Sequence, residues 1–331
     1  MAIYRFSAQV IGRSSGRSAT AAAAYRAGVE IVDHRTGEVH DYTRRSGVDE
    51  SFIVAPESAP EWAQDRAELW NAVEAAEKRK DAQVAREVQL ALPHELDAEQ
   101  RRELVEGFVR EQWVSAGMVA DVALHAPDRE GDNRNHHAHV MLTLRSIGPD
   151  GFGPKVREWN DKARLEGWRE AWQDHANRAL ARAGRSERID HRSLEAQAEA
   201  ARLSGAAERA DELDRAPEPK LGPVATADLR RSERTGSSPA TDRAQQWREV
   251  RAENQTRRSV LERMRTLVQQ GAEAWRGAVE TIRGVASEWK ARADAWVGQR
   301  NQERLALVQG IEAPQTPALK VQPQRDHGWE R

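Results

Sequence analysis

Residues 2–11, AIYRFSAQVI, alternate polar and apolar side chains, the period-two signature of a strand with one buried face. A loop, GRSSGRS at 12–18, leads into SATAAAAYRAG at 18–28. There Ser18 is a natural N-cap, the alanines are strong helix formers and Gly28 is a C-terminal stop, so a short helix is predicted. VEIVDHRTGEVHDY at 29–42 predicts a hairpin turning at Thr36–Gly37, and SFIVA at 51–55 a short strand. Residues 56–80 carry an amphipathic, Trp-bearing helix. Along 84–92, Val84, Arg86, Val88, Leu90 and Leu92 share one strand face and Ala85, Glu87, Gln89 and Ala91 the other, with Pro93 ending the strand. A helix over 96–116 follows. Two strands, 118–126 and 137–145, then flank the polar loop PDREGDNRN, and a Trp-bearing helix over 160–183 stops at Gly184. Strands and helices in mixed order, with strands close enough for antiparallel hairpins, predict an α+β fold: an antiparallel sheet flanked by helices.

After about 198 the composition changes. Residues 1–198 read as one domain, and 199–246 as a linker, because 216–242 is rich in Pro, Gly, Ser and Thr. Residues 247–310 predict a long helical or coiled-coil region. Its seam runs from Trp247 through Leu261, Val268, Trp275, Ile282 and Trp289 to Trp296, mostly in steps of three and four. Residues 311–331 hold three prolines among many polar groups and read as a disordered tail.

Charge adds little in total and more in its distribution. The 331 residues carry 51 basic and 53 acidic side chains, a balance that argues neither for nor against a nucleic-acid partner. Before Glu30, however, the chain has Arg5, Arg13, Arg17 and Arg26 and no acid, a small basic entry segment. The absence of cysteine excludes disulfides and thiolate metal sites and suits a reducing cytoplasm. No run approaches the ~20 apolar residues of a membrane span, and Met1–Val10 lacks a signal-peptide pattern, so no membrane insertion is expected.

The sharpest chemical signal is LHAPDREGDNRNHHAHVML. His137 and His139, two apart on a strand, point the same way and can meet one ion. His125 ends the preceding strand, and the hairpin returns it beside the pair. Register sends His136 to the opposite face, outside the triad. Three neutral imidazoles on a sheet leave coordination positions open for a catalytic ion. The expected cofactor is a divalent metal ion: Mn or Mg, with Zn, Ni and Co as alternatives. Imidazole donors suit Mn, Zn, Ni, Co and Cu and suit Mg less well.

Among three tyrosines, Tyr4 lies in a strand and Tyr42 at the end of a hairpin. Tyr25 sits on the Ala-rich helix beside Arg26. A phenol, with an ordinary pKa of ~10, is a weak nucleophile at neutral pH. It can attack phosphate where an ion neutralises the phosphoryl group and arginines hold the flanking backbone. The loop 12–18, with Arg13 and Arg17 before a helix N-terminus, is a natural anion site. It lacks the Gly-Lys-Ser/Thr ending of a Walker A loop. Glu87 is placed to orient a histidine by accepting its second ring N–H, although an ordinary strand glutamate would look the same.

Four segments, in order, resemble the MobA/MobL family of relaxases, of the HUH endonuclease class: MAIYRFSAQVIGRSSGRSATAAAAYRAG, REVQLALPHEL, NHHAHVML and DHRSLEAQ. The resemblance covers about residues 1–197. It implies that Tyr25 attacks a DNA phosphodiester at an origin of transfer (oriT), leaving a 5′-phosphotyrosyl link and a free 3′-hydroxyl. It also implies that His125, His137 and His139 hold the metal and that Glu87 supports them; Arg13, Arg17 and Arg26 of the basic entry segment are the expected DNA contacts. The implied partners are single-stranded oriT DNA, relaxosome accessory proteins and a secretion coupling protein; the implied place is the cytoplasm, with transfer to the recipient alongside the DNA. Two positions depart from the family pattern. His136 stands where Pro is frequent, and Gln89 where a second acid is common. Two other readings fit the same residues: a metal nuclease that activates water and forms no adduct, and a non-catalytic DNA-binding scaffold of the relaxosome.

Overall fold

The computed structural model describes residues 4–127 and 133–308. The expected tail, 311–331, and most of the 127–135 loop lie outside them. Contacts divide the chain into two units, residues 1–197 and the remainder from 198.

The first unit is built on a five-stranded antiparallel sheet. Its strands are β1 (Phe6–Gly12), β4 (Val48–Val54), β5 (Gln83–Ala91), β6 (Ala120–His125) and β7 (His137–Leu142), in the order β1-β5-β7-β6-β4. Two hairpins stand apart from it: β2 (Glu30–Val32) with β3 (Val39–Asp41), and β8 (Arg145–Gly148) with β9 (Gly151–Lys155). The first turns at Thr36–Gly37, where Gly37 takes a φ of 75° that favours glycine. The second has no counterpart in the sequence reading, because RSIGPDGFGPK is too glycine-rich to show an alternating pattern.

Strand alternation sorts the side chains into two cores. Val88, Leu90, Val122, Leu124, Val140 and Leu142 point to one face. They pack under α3 (Ala98–Val109) and α4 (Lys162–Arg182), around Phe108, Trp113 and Trp172. Ile11, Ala85 and Met141 point to the other face, under α1 (Ala19–Ala27) and α2 (Arg66–Ala76). The helix expected over 56–80 is thus confined to 66–76 by its Asp65 cap, and Trp62 falls in a single 3-10 turn before it. α2 is tied to β6 by Asp121, whose carboxylate accepts from Arg66 (2.9–3.0 Å) and from Trp70 Nε1 (2.8 Å).

Every signal placed on 18–28 has a counterpart in α1. The Ser18 side chain accepts from Ala21 N, and Gly28 closes the helix at φ 66°. A second cap comes from α2: the buried Glu74 accepts from Ala19 N at 2.6 Å. The same carboxylate holds Arg13, so loop and helix start share one anchor.

The second unit is helical. α5 (Leu194–Leu203) begins at the boundary; α6 (Ala207–Leu213) and α7 (Pro223–Thr235) occupy much of the stretch read as linker. α7 uses Pro223 at its first turn and Gly236 at its end, so residues that read as breakers act here as terminators. Ala225 and Leu229 of α7 pack with Ala244 of α8 (Asp242–Val308), a continuous 67-residue helix. Among the described residues no helix is long and apolar enough to cross a membrane.

Candidate functional site

β6 and β7 pair with His125 opposite His137 and Ala123 opposite His139. Alternation puts all three histidines on the α1 face and Ala138 in the opposite core. The three ring centroids lie 4.8–5.2 Å apart. One nitrogen from each ring falls within 4.8 Å of the others.

The hydrogen bonds decide which nitrogens those are. His125 Nε2 meets the carbonyl of Arg26 at 2.8 Å, His137 Nδ1 the carbonyl of Asn135 at 2.9 Å, and His139 Nδ1 the carboxylate of Glu87 at 2.8 Å. Each partner is an acceptor, so each ring donates a proton there; in His125 and His139 this leaves the other nitrogen with its lone pair. Ligand bonds of ~2.1 Å at tetrahedral angles put donor atoms ~3.4 Å apart, a spacing the rings reach by small rotations. Burial pushes His125 down to about 4, with the neighbouring His139, His137 and Arg45 acting in the same direction, so its ring is neutral near pH 7 and ready to ligate. The donor set therefore fits a divalent metal ion.

His136 stands apart from this group. It faces the surroundings of Arg101, Asp49 and His94, and its backbone carbonyl accepts from Leu92 N.

Glu87 is buried beneath the triad. It accepts from His139, from Arg26 and from Gln9, and Arg17 approaches it at 3.7 Å. Burial alone would raise this carboxyl. The hydrogen bonds from His139 and Arg26, with the charge of Arg26, overcome that and hold it well below the usual carboxylate range. Gln89 sits opposite His139 in register, yet the acceptor for His139 is the diagonal residue Glu87.

Tyr25 lies on α1, one residue before the carbonyl that braces His125. It is 46 % exposed, which is far from a core-packing residue. Its ring meets Tyr42 edge to face at 5.2 Å, and the Arg45 guanidinium lies 3.6 Å from its centroid. Tyr4, by contrast, packs against the α3–α4 core. An open groove of about 780 Å³ runs along this side of α1. It is lined by Arg17, Tyr25, Arg35, Tyr42, Lys78 and Lys80, among others, with Glu38 its one acid.

The expected arginines divide. Arg17 lines the groove and is partly exposed. Arg13 also touches the groove, but its donors are committed to Glu74 and to the carbonyls of Glu74, Glu77 and Arg79. Arg26 is buried on Glu87 and the Ala22 carbonyl. Arg13 has its donors filled by Glu74 and three carbonyls, whereas Arg26, which also lines the groove, bonds through Nε, Nη1 and Nη2, so a DNA contact by either would compete with bonds to protein. Sequence reasoning passed over Arg45, Arg35, Lys78 and Lys80. The basic pairs at 44–45 and 78–80 were visible, but nothing in the sequence joined them to α1. The DHRSLEAQ segment is structural: His191 bonds to Gln173 of α4 through both its backbone N–H and its ring, and Asp190 pairs with Arg192.

Comparison with known proteins finds relatives among mobilization and conjugal transfer proteins. The chain is 46 % identical over 223 residues to the mobilization protein MobL of Acidithiobacillus ferridurans, a match covering 58 % of each. It is 35 % identical over 289 residues to the conjugal transfer protein TraA of Agrobacterium fabrum, covering 78 % of this chain and 24 % of that protein. The chain thus matches about half of one relative and a quarter of the other. A solved structure described as "Molecular Basis of Vancomycin Resistance Transfer in Staphylococcus aureus" shares 34 % identity. It aligns over 58 % of this chain and its own full length with a TM-score of 0.54. The model of the MobA/MobL family matches residues 17–205, more than half of the chain, and the protein belongs to that family.

Proposed function

We propose that residues 1–198 form the nickase domain of a plasmid mobilisation relaxase, which cuts one DNA strand at an origin of transfer by attack of Tyr25. The observation that carries this reading is an exposed tyrosine on the helix whose next carbonyl braces His125 of the three-histidine cluster. Membership of a mobilisation family supports the substrate class.

Arg17, Arg35, Lys78 and Lys80 receive the backbone of a single strand along the groove. Tyr42 and Arg45 restrict the rotation of the Tyr25 ring, holding its oxygen on the open side of α1. Arg45 also provides positive charge where negative charge develops on the phenol oxygen and the phosphate. With a divalent ion on His125, His137 and His139, the site gains a Lewis acid that polarises the scissile phosphate. Tyr25 Oη forms a new bond to phosphorus while the bond to the 3′-oxygen breaks. The phenolic proton is released, and the departing oxygen takes one up. One phosphodiester replaces another, so the 3′-hydroxyl can reverse the step and reseal the strand. Relaxosome accessory proteins and a secretion coupling protein would act on this adduct.

The test is Tyr25→Phe with labelled single strands spanning the nick site and Mn. The wild-type chain is expected to give a protein-linked strand on a denaturing gel and the variant none. Adduct retained at the wild-type level removes Tyr25 from the mechanism. Cleavage by the wild type without any adduct supports a water-activating nuclease instead.

A further inference from the structure

We infer that the C-terminal part of α8 is a homotypic interface, pairing antiparallel with α8 of a second copy of this chain. Leu261, Val268, Trp275, Ile282, Trp289 and Trp296 recur at a strict spacing of seven. An undistorted helix drifts ~20° per heptad away from such a column, so the pattern suits a helix wound on another helix. Among the described residues nothing buries it: Trp275, Ile282, Trp289 and Trp296 are between 61 % and 72 % exposed. The ion pairs that α6 makes to α8 reach Arg265, at the N-terminal edge of this run. Four large apolar side chains in a row on one helix face are far more than the scattered exposure of an ordinary surface.

Size identifies the occupant. Three residues beyond Leu261, Val268, Trp275 and Ile282 stand small or medium ones, Met264, Gly271, Ala278 and Val285, and the column then turns polar at Arg292 and Gln299. The column four beyond is Ala272, Val279, Ala286 and Ala293. In a parallel, in-register pair Trp would face Trp in one layer and Gly271 would face Gly271 in the next, overfilled and void in turn. Antiparallel pairing sets large against small in the four layers at the centre: Trp275 on the partner's Val285, Ile282 on the partner's Ala278, Trp289 on the partner's Gly271 and Trp296 on the partner's Met264, with Val268 against the partner's Arg292 at the edge. The charges agree. Arg276, Arg283 and Lys290 follow the large column by one position, and Glu273, Glu280 and Asp294 precede it by two. Both sets therefore lie outside the seam; the one charge in the column three beyond, Arg292, faces the partner's Val268 and meets no like charge. An unrelated partner would require none of this self-complementarity.

The chain has no cysteine, so single-Cys variants of the full protein report the geometry directly. Light scattering on the wild type is expected to give twice the 37.1 kDa chain mass. Mild oxidation of mixed Met264→Cys and Trp296→Cys chains is expected to give a disulfide-linked dimer, and neither variant alone should do so. In an antiparallel pair, like positions sit ~48 Å apart along the helix, beyond the ~7 Å Cα reach of a disulfide. Gly271→Leu is expected to weaken self-association at least tenfold. A Cβ there meets nothing within its own chain, so the variant should fold normally. A wild-type chain monomeric at every concentration overturns the proposal. So does Trp296→Cys cross-linking to itself, which marks a parallel pair. Neither outcome depends on DNA nicking.

Discussion

The two sides of α1 use arginine in opposite ways. On the sheet side, Arg26 is buried on Glu87, and on the loop side Arg13 is buried on Glu74; Arg13 has its donors filled by protein, and Arg26 bonds through Nε, Nη1 and Nη2. On the groove side, Arg17, Arg35, Lys78 and Lys80 lie around the exposed Tyr25, and Lys78 and Lys80 have no ion pair among the described residues. The contrast teaches that one basic segment can serve two purposes. Buried cations hold the helix and histidines in place at the cost of desolvation, whereas exposed ones keep their hydration until a polyanion displaces it. Proximity in sequence does not tell which is which. Residues 13 and 17 share a loop, and 25 and 26 share a peptide bond, yet the members of each pair play different parts.

That contrast can be broken by substitution, and the largest effect is expected at the buried end. Arg13→Ala leaves the buried Glu74 with only the longer cation contact of Arg35 at 3.6 Å. Breaking a buried pair in this way costs roughly 3–5 kcal/mol, or about 10 °C in melting temperature for a domain of this size. Thermal unfolding measures it, and the salt dependence of DNA binding should not change. Glu87→Gln is expected next: His139 loses its charged acceptor, and metal affinity falls ~10–100-fold, as followed by calorimetry with Mn.

Arg45→Met removes the cation over the Tyr25 ring while keeping side-chain bulk. A contact of this kind contributes ~0.5–2 kcal/mol. Adduct formation should therefore slow by about tenfold while metal affinity holds, and an unchanged rate would remove Arg45 from the site. The smallest effect on stability belongs to the groove. Lys78→Ala with Lys80→Ala should move stability by under ~0.5 kcal/mol. The same pair should lower the slope of log affinity against log salt by ~1.4 for a single strand. If Arg13→Ala flattens that slope as much as the lysine pair does, the division between structural and DNA-facing cations fails.

Much of the site was legible because it depends on local periodicity. Ser18, the alanine run and Gly28 mark α1 without tertiary help. The alternation of His137 and His139 places two rings on one face whatever surrounds them. The hairpin register brings His125 to them with no further information. What escaped was set by other elements. Trp62 was counted into α2, but the Asp65 cap starts the helix after it. Residues 223–235 lie within the 216–242 stretch that read as linker, and form α7 because packing of Leu229 against Ala244 stabilises a helix that composition alone would not.

The sequence by itself determined the succession of the five sheet strands and of α1 to α4 along the chain, the histidine triad and the tyrosine on its capped helix, since each follows from side-chain periods of two and 3.6 residues along a continuous backbone. Only the tertiary structure decided that His139 leans on Glu87 and not on a neighbour in register, that Arg45 covers Tyr25, and that Arg13 and Arg26 are internal struts. Those contacts join residues twenty to sixty positions apart. Which donor reaches which acceptor there depends on how helices settle on a twisted sheet, a matter of three-dimensional packing that no linear pattern encodes.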